Sequence, residues 1–154
     1  MFATVAELGV PYIMMHMRGT PQTMQQHTGY TDMMEEIMLY FASKVRELRL
    51  LGVNDIILDP GFGFSKTVDQ NYLLMNRLQE FGVFDLPLLV GISRKSMIYR
   101  FLGGTPADSL NGTTVLNAFA LMNGTDILRV HDVKAAVETV KIITKLKVED
   151  HVHP

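Results

Sequence analysis

The chain has 154 residues, 47% of them apolar and 19% charged, with a formal net charge of -2 and no cysteine. That length and balance suit one globular domain with a core of its own and exclude a disordered tail. The lack of cysteine excludes a disulfide framework and a thiolate metal site, and the near-neutral charge gives no global basic field to draw the chain onto nucleic acid or a membrane. The lack of cysteine fits a reducing cytoplasm, the location expected here; no apolar run reaches the roughly 18 residues of a membrane span, and no signal-peptide pattern opens the chain.

In chain order, Phe2, Val5, Ala6 and Leu8 recur at helical spacing until Gly9 and Pro11 stop the run. The pattern reads as the last two turns of a helix whose beginning lies upstream, the alternative being a short complete helix. A near-continuous apolar run over 11–15 reads as a strand. From Asp32 to Leu51, Met33, Ile37, Phe41, Val45 and Leu48 fall three and four residues apart, and Gly52 closes the helix. A second strand over 55–58 precedes a helix from Asp69 to Phe81, with Tyr72, Leu73, Leu78 and Phe81 expected inward. The third strand, 86–90, leads to a helix from Ser96 that breaks near Gly103 and Gly104 and resumes over Ala107–Met122. The fourth strand, 126–130, is followed by a helix from Lys134 to Lys147 expected to bury Val137, Val140, Ile143 and Thr144 or Leu146. The tail from His151 to Pro154 is expected to fray.

Apolar runs that are continuous rather than alternating are the mark of strands buried on both faces of a parallel sheet. Their centres lie roughly 30–45 residues apart, which leaves room for one crossover helix each. The expected fold is therefore α/β, with about four β/α units in a single partial domain covering 1–154. A complete (β/α)8 barrel takes about 250 residues, so four units make half of a TIM barrel. The rival, an open doubly wound sheet, would need a nucleotide fingerprint that none of the glycine turns matches well.

The polar residues gather just after each strand, where parallel α/β folds bind ligands. Asp59 follows Ile56, Ile57 and Leu58 directly, so its carboxylate emerges at the sheet's C-terminal edge, where it can accept two parallel N–H donors from a guanidine-like heterocycle. It could equally cap its own loop. Lys95 stands in a stretch leading from a strand into a helix, where free N–H groups at Ser96 favour an anion or carboxylate. Arg94 could form a surface ion pair, and Gly91 could make room beside a ligand. Arg129 and His131 are two apart and share a face, a pairing that suits phosphate or pyrophosphate. Alternatively, Arg129 pairs with Asp132 or Asp126 and His131 merely packs. His16 after the first strand is more readily structural than catalytic, and its neighbours Met14, Met15 and Met17 read as packing residues. No His, Asp and Glu spacing makes a protein metal cage.

Met15-His-Met-Arg-Gly19, Asp59-Pro-Gly-Phe-Gly-Phe64, Gly91-Ile-Ser-Arg-Lys-Ser96 and Arg129-Val-His-Asp-Val133 resemble the four late-strand motifs of the dihydropteroate synthase family. They occur in the family's order and cover essentially the whole chain. The resemblance implies the second half of a pterin-binding (β/α)8 TIM barrel and a condensation in folate biosynthesis. There, p-aminobenzoate displaces pyrophosphate from 6-hydroxymethyl-7,8-dihydropterin pyrophosphate, in the enzyme that sulfonamides inhibit. Carried onto this sequence, the family's pattern gives Asp59, Lys95, Gly91, Met15 and Arg129 to the pterin. Phe64 and Ser96 would meet p-aminobenzoate, and Arg129 with His131 would bind the pyrophosphate. Lys95, Arg129 and His131 would carry the catalysis. Mg2+ would ride with the pyrophosphate rather than on an all-protein site.

The family's early-strand residues and its mobile loops have no counterpart here, so the chain is expected to be inactive by itself. Two other readings stand beside this one. A methyltetrahydrofolate-type methyltransferase domain shares the barrel and a pterin-holding Asp, and sulfonamide competition separates the two. A non-catalytic half-barrel would bind pterin weakly or only assemble. A half-barrel leaves two sheet edges open, so a homo-oligomer is expected.

Overall fold

The computed structural model describes residues 1–149, and the expected fraying of 151–154 lies outside the described residues. Four parallel strands alternate with helices. Helix α1 (Phe2–Leu8) ends on Gly9, whose left-handed backbone (φ 60°) caps it, and leads into β1 (Tyr12–Met15). A 3-10 turn (Met24–Gln26) precedes α2 (Met33–Leu50), which starts where the Asp32 side chain accepts the Glu35 N–H. Strand β2 (Ile56–Asp59) is followed by α3 (Val68–Asn76), opened by a reciprocal Thr67–Gln70 capping box. Then come β3 (Leu89–Val90), α4 (Ser96–Leu102), α5 (Leu110–Met122), β4 (Ile127–Leu128) and α6 (Val133–Glu149).

The strands lie side by side in chain order. β1 pairs with β2 from Tyr12↔Ile56 to Met15↔Asp59, and β3 with β4 from Leu89↔Ile127 to Val90↔Leu128. A parallel bridge between Leu58 and Leu88 joins the two pairs. Met14, Ile56, Leu58, Leu88 and Val90 enter the core with Ile37, Phe41, Val45 and Leu48 from α2 and Leu74 from α3. The five α2 positions read from the sequence as inward are all buried. Alternation along the strands then turns Ile13, Met15, Ile57, Asp59, Leu89 and Ile127 to the opposite, concave face.

Three local expectations are corrected. The helix expected over 69–81 stops at Asn76 and continues as a 3-10 segment (Leu78–Phe84), because the chain must turn toward β3 through Asp85 in the left-handed region. Leu73, expected inward, is 45% exposed, while Leu74 and Met75 take the core positions. On α6 the small Ala136 and Thr139 pack inward with Ile143, and Val137, Val140 and Leu146 face outward. Close approach of α6 to its neighbour α5 favours the smaller side chains, which a reading by hydrophobicity alone does not see.

Candidate active site at the strand ends

The register of the sheet assembles the site. Met15 and Asp59 are direct partners at the ends of β1 and β2, on the concave face. Two residues beyond Leu89 and Ile127, the same face continues at Gly91 and Arg129, and a Cβ built on Gly91 would sit 3.6 Å from the Arg129 Cβ. Gly91 thus leaves the space beside the arginine stem.

The loop after β2 passes close beneath the end of β1. Gly61 has φ 72°, and a Cβ there would fall 2.0 Å from the His16 carbonyl oxygen, so any side chain is excluded by both backbone conformation and contact. Asp59 Oδ1 accepts the Gly61 N–H at 2.8 Å. Burial pushes the Asp59 carboxyl up, opposed by that N–H and by the charges of Lys95, Lys66 and Arg129.

Lys95 reaches across from the start of α4. Its Nζ donates to the Phe62 carbonyl and lies 4.6 Å over the Phe64 ring centroid. Burial lowers its pKa to about 8, with Asp59 opposing and Arg129 adding to the shift. Gly63 gives its stem passage, since a Cβ there would sit 3.2 Å from Lys95 Cδ. Ser96 is the first residue of α4, and no side chain caps that end. Its N–H groups therefore keep their capacity for an acceptor.

Arg94 has φ 56° and donates two hydrogen bonds to the Asp132 carboxylate, the ion pair entertained from sequence. Asp126 accepts the Leu88 N–H. Arg129 pairs with neither acid, and its side chain makes no hydrogen bond or ion pair among the described residues. His131 is held at Nδ1 by the Ser93 hydroxyl, at 3.0 Å. His16 is structural: it is buried edge-on to Tyr40, with ring centroids 5.0 Å apart, and bonded to Lys66.

Three residues of this region carry no role in the sequence reading. Lys66 is buried, with Nζ 3.0 Å from Gly61 O, 3.1 Å from Phe64 O and 3.2 Å from His16 Nδ1. Burial lowers its pKa to about 7, against the charge of Asp59. Asn71 Oδ1 accepts the Gly63 N–H at 2.7 Å. The third is Ser93. Asn71 has a local signal, an amide side chain four residues past the Thr67 cap, whereas Ser93 reaches a residue 38 positions away and Lys66 joins its own loop to His16, 50 positions away, and neither leaves a periodic trace.

An acid at a strand end, a lysine over an aromatic ring and an arginine without a side-chain partner among the described residues thus stand together at the strand ends. Comparisons with known proteins identify the family. The family described as "Pterin binding enzyme" matches residues 1–131. Dihydropteroate synthase of Escherichia coli K12 is 44% identical over 140 residues, which is 90% of this chain and 50% of that protein. A crystal structure of the Yersinia pestis dihydropteroate synthase with a sulfonamide drug complex superposes with a TM-score of 0.92 at 39% identity, covering 96% of this chain and 54% of the other. The Thermus thermophilus enzyme in complex with 6HMPPP gives 0.90 at 37% identity, covering 95% and 59%. The chain thus spans about half the length of the curated relatives it matches, and its four β/α units are part of a TIM barrel. By sequence and by fold, the chain belongs to the pterin-binding enzyme family, with dihydropteroate synthases as its relatives.

Proposed function

We propose that this chain carries the late-strand part of a dihydropteroate synthase site and acts in the condensation of p-aminobenzoate with a dihydropterin pyrophosphate. The observation that carries the reading is the common concave face of Met15, Asp59, Gly91 and Arg129, with Lys95 alongside over Phe64. Asp59 accepts the 2-amino and N3 edge of the pterin, Lys95 donates to another edge, and Met15 and Gly91 line the pocket. Phe64 packs near the benzoate, whose carboxylate meets the N–H groups at Ser96. Arg129 lies against the pterin and, with His131, takes the leaving pyrophosphate. Catalysis by Lys95, Arg129 and His131 is then mainly positioning and stabilisation of departing charge.

Mg2+ in this reading travels with the pyrophosphate. Among the described residues no group of three or more His, Asp or Glu side chains could hold a metal ion, so no step is assigned to one. The chain is a single partial domain, placed in the cytoplasm, that self-associates. No helix among the described residues is long and apolar enough to cross a membrane.

A second reading keeps the same residues as a binding site alone: the chain takes up pterin without turnover. Calorimetric titration with the pterin pyrophosphate tests the site. Asp59→Asn is expected to weaken binding about ten- to hundredfold through loss of a charge-assisted double hydrogen bond. No detectable binding by the unsubstituted chain, or binding indifferent to the substitution, would sink the site assignment. Incubation with both substrates tests turnover, and product in excess of the chain would overturn the view that it is inactive alone.

A further inference from the structure

Ser93 ends the segment after β3, and among the described residues its side chain is bonded only to His131. Its Oγ accepts the His131 backbone N–H at 3.1 Å and lies 3.0 Å from Nδ1 of the same residue. Ser93 is buried, 4% exposed, so a partner within the protein is favoured for its hydroxyl proton. No other acceptor contacts it among the described residues.

Those contacts decide the direction of the second bond. A hydroxyl has one proton to give and two lone pairs to receive with. If Nδ1 carried the ring proton, both contacts would be donations to Oγ, and the buried hydroxyl proton would be left unpaired, at the cost of a lost hydrogen bond. If Ser93 instead donates to a bare Nδ1, all three polar groups are satisfied at once. The neutral ring then carries its proton on Nε2, the nitrogen turned away from Ser93.

We propose that Ser93 is a positioning residue that fixes His131 as its Nε2–H tautomer, so that the neutral ring offers an N–H donor to an anionic ligand. This rests on the reading that His131 meets the pyrophosphate. A histidine held in the other tautomer would present a lone pair to that anion and repel it. Arg129 supplies charge, and His131, so fixed, supplies direction without needing a second proton.

The test is a proton–nitrogen correlation spectrum of the uniformly 15N-labelled 154-residue chain, at a pH about two units above the ordinary histidine value. The His131 signals are assigned by their loss in His131→Gln. Nδ1 is expected to resonate as an unprotonated nitrogen and Nε2 as a protonated one. A protonated Nδ1 in the unsubstituted chain overturns the proposal, and this holds even if Ser93→Ala does not fold. In Ser93→Ala the tautomers are expected to mix, and inorganic pyrophosphate to bind about three- to tenfold more weakly. Ser93→Thr, which keeps the hydroxyl, should restore both. A Ser93→Ala spectrum identical to that of the unsubstituted chain would also overturn it. If the tautomer is fixed and pyrophosphate does not bind to the unsubstituted chain, the role of Ser93 stands and the anion reading of His131 falls.

Discussion

His16 and Lys66 share a hydrogen bond in the interior, and burial acts on both in the direction of neutrality. The His16 ring sits among Tyr30, Tyr40 and Phe41, with Lys66 Nζ 3.2 Å from Nδ1 and the Arg18 charge nearby. Burial first, then Lys66 and Arg18, lowers its pKa from 6.5 to about 3. Between those values the unfolded chain holds a proton on this ring that the folded chain does not. The stabilising contribution is therefore complete above pH 6.5 and is lost as the pH falls toward 3, by at most ~1.4 kcal/mol per pH unit. Urea unfolding at several pH values should show a steeper acid loss for the native sequence than for His16→Gln, and parallel slopes would refute the assignment. The sequence places His16 correctly as structural but is silent on Lys66. Asp59, Lys95 and Arg129 are legible because a strand end marks where a side chain can meet a ligand. The contacts of Lys66 arise from a loop folding back on itself and on a residue fifty positions away, and no periodicity records that.

At the scale of elements, helices α4 and α5 cross where Gly112 faces Ile98. A Cβ on Gly112 would lie 2.4 Å from Ile98 Cγ2 and 3.3 Å from Leu102 Cδ1. Helix propensity alone favours Gly112→Ala by about 1 kcal/mol. Overpacking against a buried β-branched side chain costs about 1–3 kcal/mol, and Ile98 is buried with little room to move. The clash should win, so Gly112→Ala is expected to lower the melting temperature. In combination with Ile98→Ala its cost should shrink or change sign, giving a coupling energy in a double-mutant cycle. Additive effects would show that the two helices are not in contact there. The same crossing explains the uneven legibility of the helices. α2 packs its long apolar side chains on the sheet, so periodicity finds its buried face. α5 and α6 pack on each other through small residues such as Ala136, and their larger apolar side chains point elsewhere. The break at Arg77 is invisible for a related reason: Leu78 and Phe81 stay buried through the 3-10 segment, so the hydrophobic pattern continues while the helix does not.

For the molecule as a whole, the sheet ends on β1 at one side and β4 at the other, and among the described residues neither outer edge has a strand partner. Ile13 on β1 is 51% exposed and Ile127 on β4 36%, both on the concave face. Helix α1 buries none of its residues, and α6 turns Val137, Val140 and Leu146 outward. Open parallel edges bordered by exposed apolar side chains are a template for further pairing, and burial of even a few such side chains contributes about 1.5–3 kcal/mol each. The 154-residue chain is therefore expected to sediment above its 17.3 kDa monomer mass at micromolar concentration. A charge on the edge opposes such pairing, so Ile13→Lys should shift the distribution toward monomer while leaving the far-ultraviolet dichroism unchanged. Because Ile13 points to the concave face two residues before Met15, the same substitution should also perturb pterin binding if association shapes the site. A folded monomer in the unsubstituted chain, across the concentration range, would overturn the expectation of self-association and leave the concave face open to solvent on the side opposite its helices.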